Sequence, residues 1–164
     1  MVEAWLEGPV HGIPSIFQPA AHALVQARRD ATDQAASIEA DLLWMHRGAA
    51  ATAGFHLLHA ANALDRLSTY ARGELLSDAQ KSALRGESAD YPELDGRALA
   101  AHLGSAIDRA LAQLADTEPD TVFEERRVGR AGAPSNVLGL LFHAAEHTTR
   151  HVGQFITTIK LLRG

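Results

Sequence analysis

Between Pro134 and Leu162 apolar side chains return every three or four residues without a break. Three histidines, His143, His147 and His151, ride on the same stretch at strict four-residue intervals. A pattern of period 3.6 sustained this long fits one helix of some 28 residues, roughly 40 Å at 1.5 Å per residue, and not strands, whose side chains alternate. A rod of that length must find several partners to cover its apolar stripe.

The rest of the chain supplies them. Alanine, leucine, arginine, glutamine and glutamate fill long stretches at helical spacing, and no segment sustains the alternation of a strand. A first helix is expected over Ser15 to Ser37, with Pro14 and Pro19 at its start, where first-turn amides lack helical partners anyway. A second runs from about Ala49 to Arg72 and stops at Gly73, a suitable carboxy-terminal cap. Ser77 followed three residues later by Gln80 forms a capping box for a short helix ending near Gly86. Asp95 opens a third long pattern through Leu103, Ile107, Leu111 and Leu114, broken by "DTEPD" at 116–120. The charged, glycine-containing "FEERRVGRAGAPSN" at 123–136 reads as an exposed loop. The expectation is an all-α chain. It is a four-helix bundle in one domain spanning residues 1–164, with a long crossover between the second and third long helices and a short extra helix.

Composition narrows the function. With no cysteine there is neither a disulfide framework nor a thiolate metal site, so any metal must be held by imidazole or carboxylate. The net charge of −5, with both signs interleaved, gives no footprint for a phosphate backbone, so nucleic acid is not an expected partner. No basic patch followed by an apolar core opens the chain and no run of 18 apolar residues occurs, which predicts a soluble, cytoplasmic protein without a membrane partner. Against this background nine histidines are the anomaly.

Their placement makes them informative. At about 100° per residue, His147 and His151 fall in the apolar stripe Leu140, Ala144, Phe155, Ile159 and Leu162, while His143 lies at its edge and Gln154 near the inner face. On the second helix the spacing Phe55, His59, Ala63, Leu67, Tyr70 puts His59 in the seam, with His56 one turn earlier, and periodicity alone does not choose between the two. A single inward histidine is ordinarily a hydrogen-bonded core residue. Two on one turn are harder to satisfy, because each neutral ring needs partners for a donor and an acceptor, and the neighbouring Leu, Ala, Phe and Ile side chains offer none. Charging both would bury like charges. A divalent ion resolves this by taking a lone pair from each ring, and His59 from a facing helix completes three imidazoles. No HExxH occurs, so the metalloprotease mechanism with glutamate as general base is unsupported, and Glu146 is assigned to the surface.

The segments "FHLLHAANALDRLSTYARGELLSDAQ" and "HAAEHTTRHVGQFITTIKLLR", with "GIPSIFQPAAHAL" near the start, resemble the DinB/YfiT-like superfamily. The resemblance covers nearly the whole chain. It implies small bacterial four-helix bundles with a long crossover and a metal held by one histidine of the second helix and an HxxxH pair of the fourth. The ligands it implies here are His59, His147 and His151, with the HxGQ ending kept as His151-Val152-Gly153-Gln154. His56, His143 and Gln154 then become pocket-lining or supporting residues.

Three neutral imidazoles suit zinc, nickel, iron(II) or copper(II), and leave coordination positions open, as catalytic sites do. The resemblance implies a metal-dependent enzyme that activates a small-molecule thiol or water, in the manner of a thiol transferase or a hydrolase. The substrate class is small molecules, among them low-molecular-weight thiols. Alanine-rich faces on the first and third long helices suit close packing against a second copy, giving a homodimer as the expected assembly. The competing readings are a non-catalytic, metal-stabilised ligand-binding or stress-response module, and a dry polar network of histidines that holds no ion.

Overall fold

A computed structural model describes residues 2–164, and these are mostly helical. The long helices are α1 (Gln18–Ala35), α3 (Ala53–Ala71), α5 (Gly96–Asp116) and α6 (Val137–Arg163); the short α2 (Ala40–Leu43) and α4 (Asp78–Gly86) lie between them. α3 packs on α6 and α5, and α1 packs on the same two, so the four long helices enclose one core. Phe17, Leu24, Leu57, Leu64, Leu103, Ile107, Phe155 and Ile159 fill its centre. Burying each such side chain contributes about 1.5–3 kcal/mol.

Four starts follow from side-chain caps. Thr52 Oγ1 accepts from Phe55 N, Ser77 and Gln80 form the expected reciprocal box, Asp95 accepts from Ala98 N, and Asn136 accepts from Gly139 N. The second long helix therefore begins at Ala53, later than the expected Ala49. Gly54 sits in its first turn because Trp44 lies flat against it; a Cβ there would stand 2.7 Å from the indole.

The expected loop at 123–136 is instead mostly a hairpin. β1 (Glu125–Val128) pairs antiparallel with β2 (Ala133–Asn136), Glu125 opposite Asn136 and Val128 opposite Ala133. The two strands are too short and too polar to show alternation. Tertiary contacts hold them: Arg126 Nε donates to Ala71 O at 2.8 Å, at the end of α3. The turn is closed by Gly129 and Gly132, both at positive φ (66° and 61°), where a side chain would be strained. Because β2 occupies 133–136, α6 starts at Val137 rather than at Pro134 or Ser135. Its first two amides donate to Glu124 O and Val122 O, so the segment leading into the hairpin supplies acceptors to amides that a helix start leaves unpaired.

The expected seam of the second long helix also shifts. The deepest positions of α3 are Ala53, Leu57, Ala60 and Leu64, and His59 stands about 160° round from Leu57 at 100° per residue. Phe55, Leu67 and Tyr70 are only half-buried. Leu67 and Tyr70 pack against the edge of the core, while Glu87 from the crossover covers His59. α3 is buried on nearly every side, as a helix wrapped by neighbours must be, and its pattern points to no single face.

Candidate metal centre

His59 on α3 and His147 and His151 on α6 converge where the two helices cross, and each offers a ring nitrogen within 4.8 Å of the others. The Nε2 atoms of His59 and His147 are 2.9 Å apart. His151 lies close to both, its ring tilted by 56° to each, with centroids 4.4 Å from His59 and 4.5 Å from His147. On α6 the buried face is centred on Thr148, and His151 and His147 sit about 60° and 100° round from it at 100° per residue. They stand at the border of the core, half-buried and open on one side.

Sequence reasoning found no partners for these rings, but the fold brings two. His56 is 8% exposed and its Nδ1 lies 3.2 Å from Nδ1 of His151. Glu87, the residue that ends α4, places Oε2 at 2.7 Å from His59 Nδ1. Glu87 is itself gripped by Arg66, whose Nη1 and Nη2 donate to its two oxygens at 2.8 and 3.3 Å. Helical spacing does not single out Glu87 in the sequence. The signal was available in Arg66, which shares the azimuth of His59 two turns along: a cation on a covered helix face requires a buried acid.

The other singled-out residues are peripheral. His143 is exposed, with Nδ1 3.4 Å from Glu146 and its ring centroid 5.4 Å from that of His147. Glu146 is a surface residue paired with Arg150, as expected. Gln154, expected near the inner face, is exposed and lines a shallow groove with His56, Arg150 and Thr157. At 100° per residue it stands about 120° round from Thr148, beyond both His151 and His147. Three of the four histidines elsewhere have ordinary partners: His22 meets Gly8 O, His46 meets Asp90 and His102 meets Asn62.

Protonation fits a cation site. Burial and the neighbouring His59 push His147 down to about 4 and, with His147 and His56 adding to the effect, His151 down to about 3. Burial, then His59, lowers His56 as well. At neutral pH these rings carry no charge and their lone pairs are available. For Glu87 burial opposes ionisation, but the hydrogen bonds from His59 and Arg66 and the charge of Arg66 outweigh it and hold the carboxyl at about 2.

Three donors of one chemical type, imidazole nitrogen, fit a divalent transition metal. Tetrahedral zinc with bonds of about 2.1 Å separates its ligand nitrogens by about 3.4 Å, so the donors need only small ring rotations to enclose one. The Nε2 of His147 meets only another imidazole nitrogen, that of His59, a contact that a cation would satisfy from both sides. Its buried Nδ1 has no hydrogen-bond partner among the described residues.

No helix among the described residues is long and apolar enough to cross a membrane. No curated protein sequence matches the chain. The fold is similar to that of a conserved protein from Enterococcus faecalis, known from a crystal structure: the two are 15% identical, superpose with a TM-score of 0.71, and the match covers 90% of this chain and 97% of that one. At that identity the likeness speaks for the fold alone. The sequence pattern of the DinB superfamily matches residues 23–155, a span that takes in α3, the crossover, α5 and all three converging histidines. The chain belongs to the DinB superfamily.

Proposed function

We propose that this protein is a metal-dependent enzyme acting on a small molecule, with His59, His147 and His151 holding a divalent ion of the zinc, nickel or iron(II) type. The observation that carries the reading is the meeting of three imidazoles from two helices at a half-buried edge of the core. A structural ion would be enclosed by four protein ligands, whereas three ligands at an open edge leave room for a substrate atom. The packing of α1, α3, α5 and α6 is read as the four-helix bundle of the family, with residues between α3 and α5 as its long crossover.

A divalent ion bound there supplies Lewis acidity, lowering the proton affinity of a thiol or water that reaches it. The chain's residues do the rest. Neutral His147 and His151 each keep one lone pair for an ion and carry no charge to repel it, and Glu87 meets His59 at Nδ1, on the side away from His147. His56 stands behind His151, and the groove lined by His56, Arg150, Gln154 and Thr157 gives a small substrate a polar approach. The preferred reaction is transfer of a low-molecular-weight thiol to an electrophile, with hydrolysis as the neighbouring possibility. A cytoplasmic location and a homodimer complete the proposal.

Elemental analysis of protein purified without an affinity tag tests it. The expected result is close to one divalent transition-metal ion per chain, lost in His147→Ala. Protein that stays metal-free when supplied with zinc, nickel and iron(II) defeats the reading.

A further inference from the structure

The crossover helix α4 buries none of its own residues against the core, so apolar packing does not hold it in place. Two polar clamps do. Gln80 Nε2 donates to Asp65 Oδ2 at 2.6 Å and to Thr69 Oγ1 at 2.7 Å, and directly after the other end Glu87 meets Arg66 and His59. All four partners lie on α3, and the side chains of Glu87 and Arg66 are only 7% and 11% exposed. A buried ion pair is a weak source of stability compared with apolar packing of the same volume. Its contact with a histidine of the candidate centre therefore points to a role in placing that histidine.

We infer that Glu87, clamped by Arg66, is the positioning residue of the metal centre: it fixes His59 as the Nδ1–H tautomer and so aims the bare Nε2 at the ion. This rests on the metal reading above. A carboxylate has only acceptors, so the 2.7 Å contact requires the proton on His59 Nδ1. Neutral imidazole carries one proton, so Nε2 is then a lone pair, and it is Nε2 that faces His147. Arg66 supplies the rigidity, because a guanidinium donating to both oxygens fixes the carboxylate plane. The crossover thus contributes to the centre without touching the ion, and ion binding and crossover docking share one hydrogen bond.

The isosteric variant Glu87→Gln separates positioning from packing. Arg66 offers only donors, so the amide oxygen turns towards it and the amide NH2 faces His59 Nδ1. That donor forces the proton onto Nε2 and closes the lone pair. The expected results are a switch of His59 from Nδ1–H to Nε2–H in nitrogen-15 NMR of the metal-free protein, and zinc binding weakened about 10- to 100-fold, the usual effect of losing such a partner. The double variant Arg66→Met with Glu87→Met removes the pair without stranding a charge; the same fall in zinc affinity is expected with the helical fold intact. Unchanged zinc affinity and an unchanged His59 tautomer in Glu87→Gln overturn the inference. Failure of the wild type to bind zinc at all overturns the metal reading instead.

Discussion

Across the crossing of α3 and α6, the Nε2 atoms of His59 and His147 face one another at 2.9 Å. In the absence of an ion one nitrogen must donate to the other, and since His59 carries its proton on the far side, towards Glu87, the donor is His147. A cation between the two removes the need for that proton. The consequences can be measured.

Removal of a converging ring differs from removal of a flanking one. Alanine at His59, His147 or His151 abolishes stoichiometric zinc binding, while His143→Ala and Gln154→Ala, both exposed, leave zinc affinity within about threefold of wild type. For the wild type, zinc at 100 times its Kd adds about 2.7 kcal/mol. At roughly 2–4 °C per kcal/mol for a chain of this size, the melting temperature rises by about 5–10 °C. Thermal melts with and without zinc read both effects, and a His143→Ala protein that no longer binds zinc contradicts the assignment.

Stability of the metal-free protein should fall on acidification. The unfolded chain takes up protons on histidine from about pH 6.5, whereas folded His147 and His151 resist until about 4 and 3. Below 6.5 the unfolded state therefore holds more protons, so the stability present at neutral pH is lost progressively towards pH 3. Glu87, held at about 2 against an ordinary 4.5, acts in the same direction at lower pH. Urea midpoints measured between pH 7.5 and 4 should decline steadily, and decline less in a His147→Gln, His151→Gln double variant. A midpoint that climbs below pH 6 is the contrary outcome.

Catalysis and mere metal binding separate by turnover. Zinc-, nickel- or iron-loaded protein is expected to consume a low-molecular-weight thiol in the presence of an electrophile, or to cleave an activated ester, and to lose this on chelation and in His151→Ala. If loading raises the melting temperature while no metal supports turnover of either kind, the protein is a metal-stabilised binding module.

The hairpin seats α6, and with it two of the three rings. Gly129 at φ 66° closes the turn, and no neighbouring atom lies within 4 Å of a Cβ placed there. Gly129→Ala should therefore destabilise through backbone strain alone, by about 1–2 kcal/mol. That corresponds to a melting temperature lower by roughly 2–8 °C. Zinc affinity at 25 °C should hold while the protein stays folded, so a large loss of affinity without a lower melting temperature speaks against this role.

What was legible in the sequence was what repeats locally. The long helices, the capping box at Ser77 and Gln80 and the Asp95 cap depend on residues three or four apart, and periodicity reports such relationships directly. The histidine pair of α6 was legible for the same reason, since four residues return a side chain to one face. The strands of the hairpin were not, because Glu125–Val128 and Ala133–Asn136 are ordered by pairing with each other and by Arg126 reaching Ala71, not by a pattern of their own.

His59 shows where the boundary falls. Its four-residue series with Phe55 and Ala63 suggested an inward seam, yet α3 is covered on nearly all sides and that face meets the crossover. Sequence by itself determined that His147 and His151 share a helix face; only the tertiary structure decided that His59 rather than His56 faces His147, and that Glu87 from a helix with no buried side chain turns its proton away. The physical reason is range. Helical spacing fixes azimuth within one rod, whereas the relation between rods, and between a rod and a crossover, is set by packing and buried polar pairing among residues far apart in the chain.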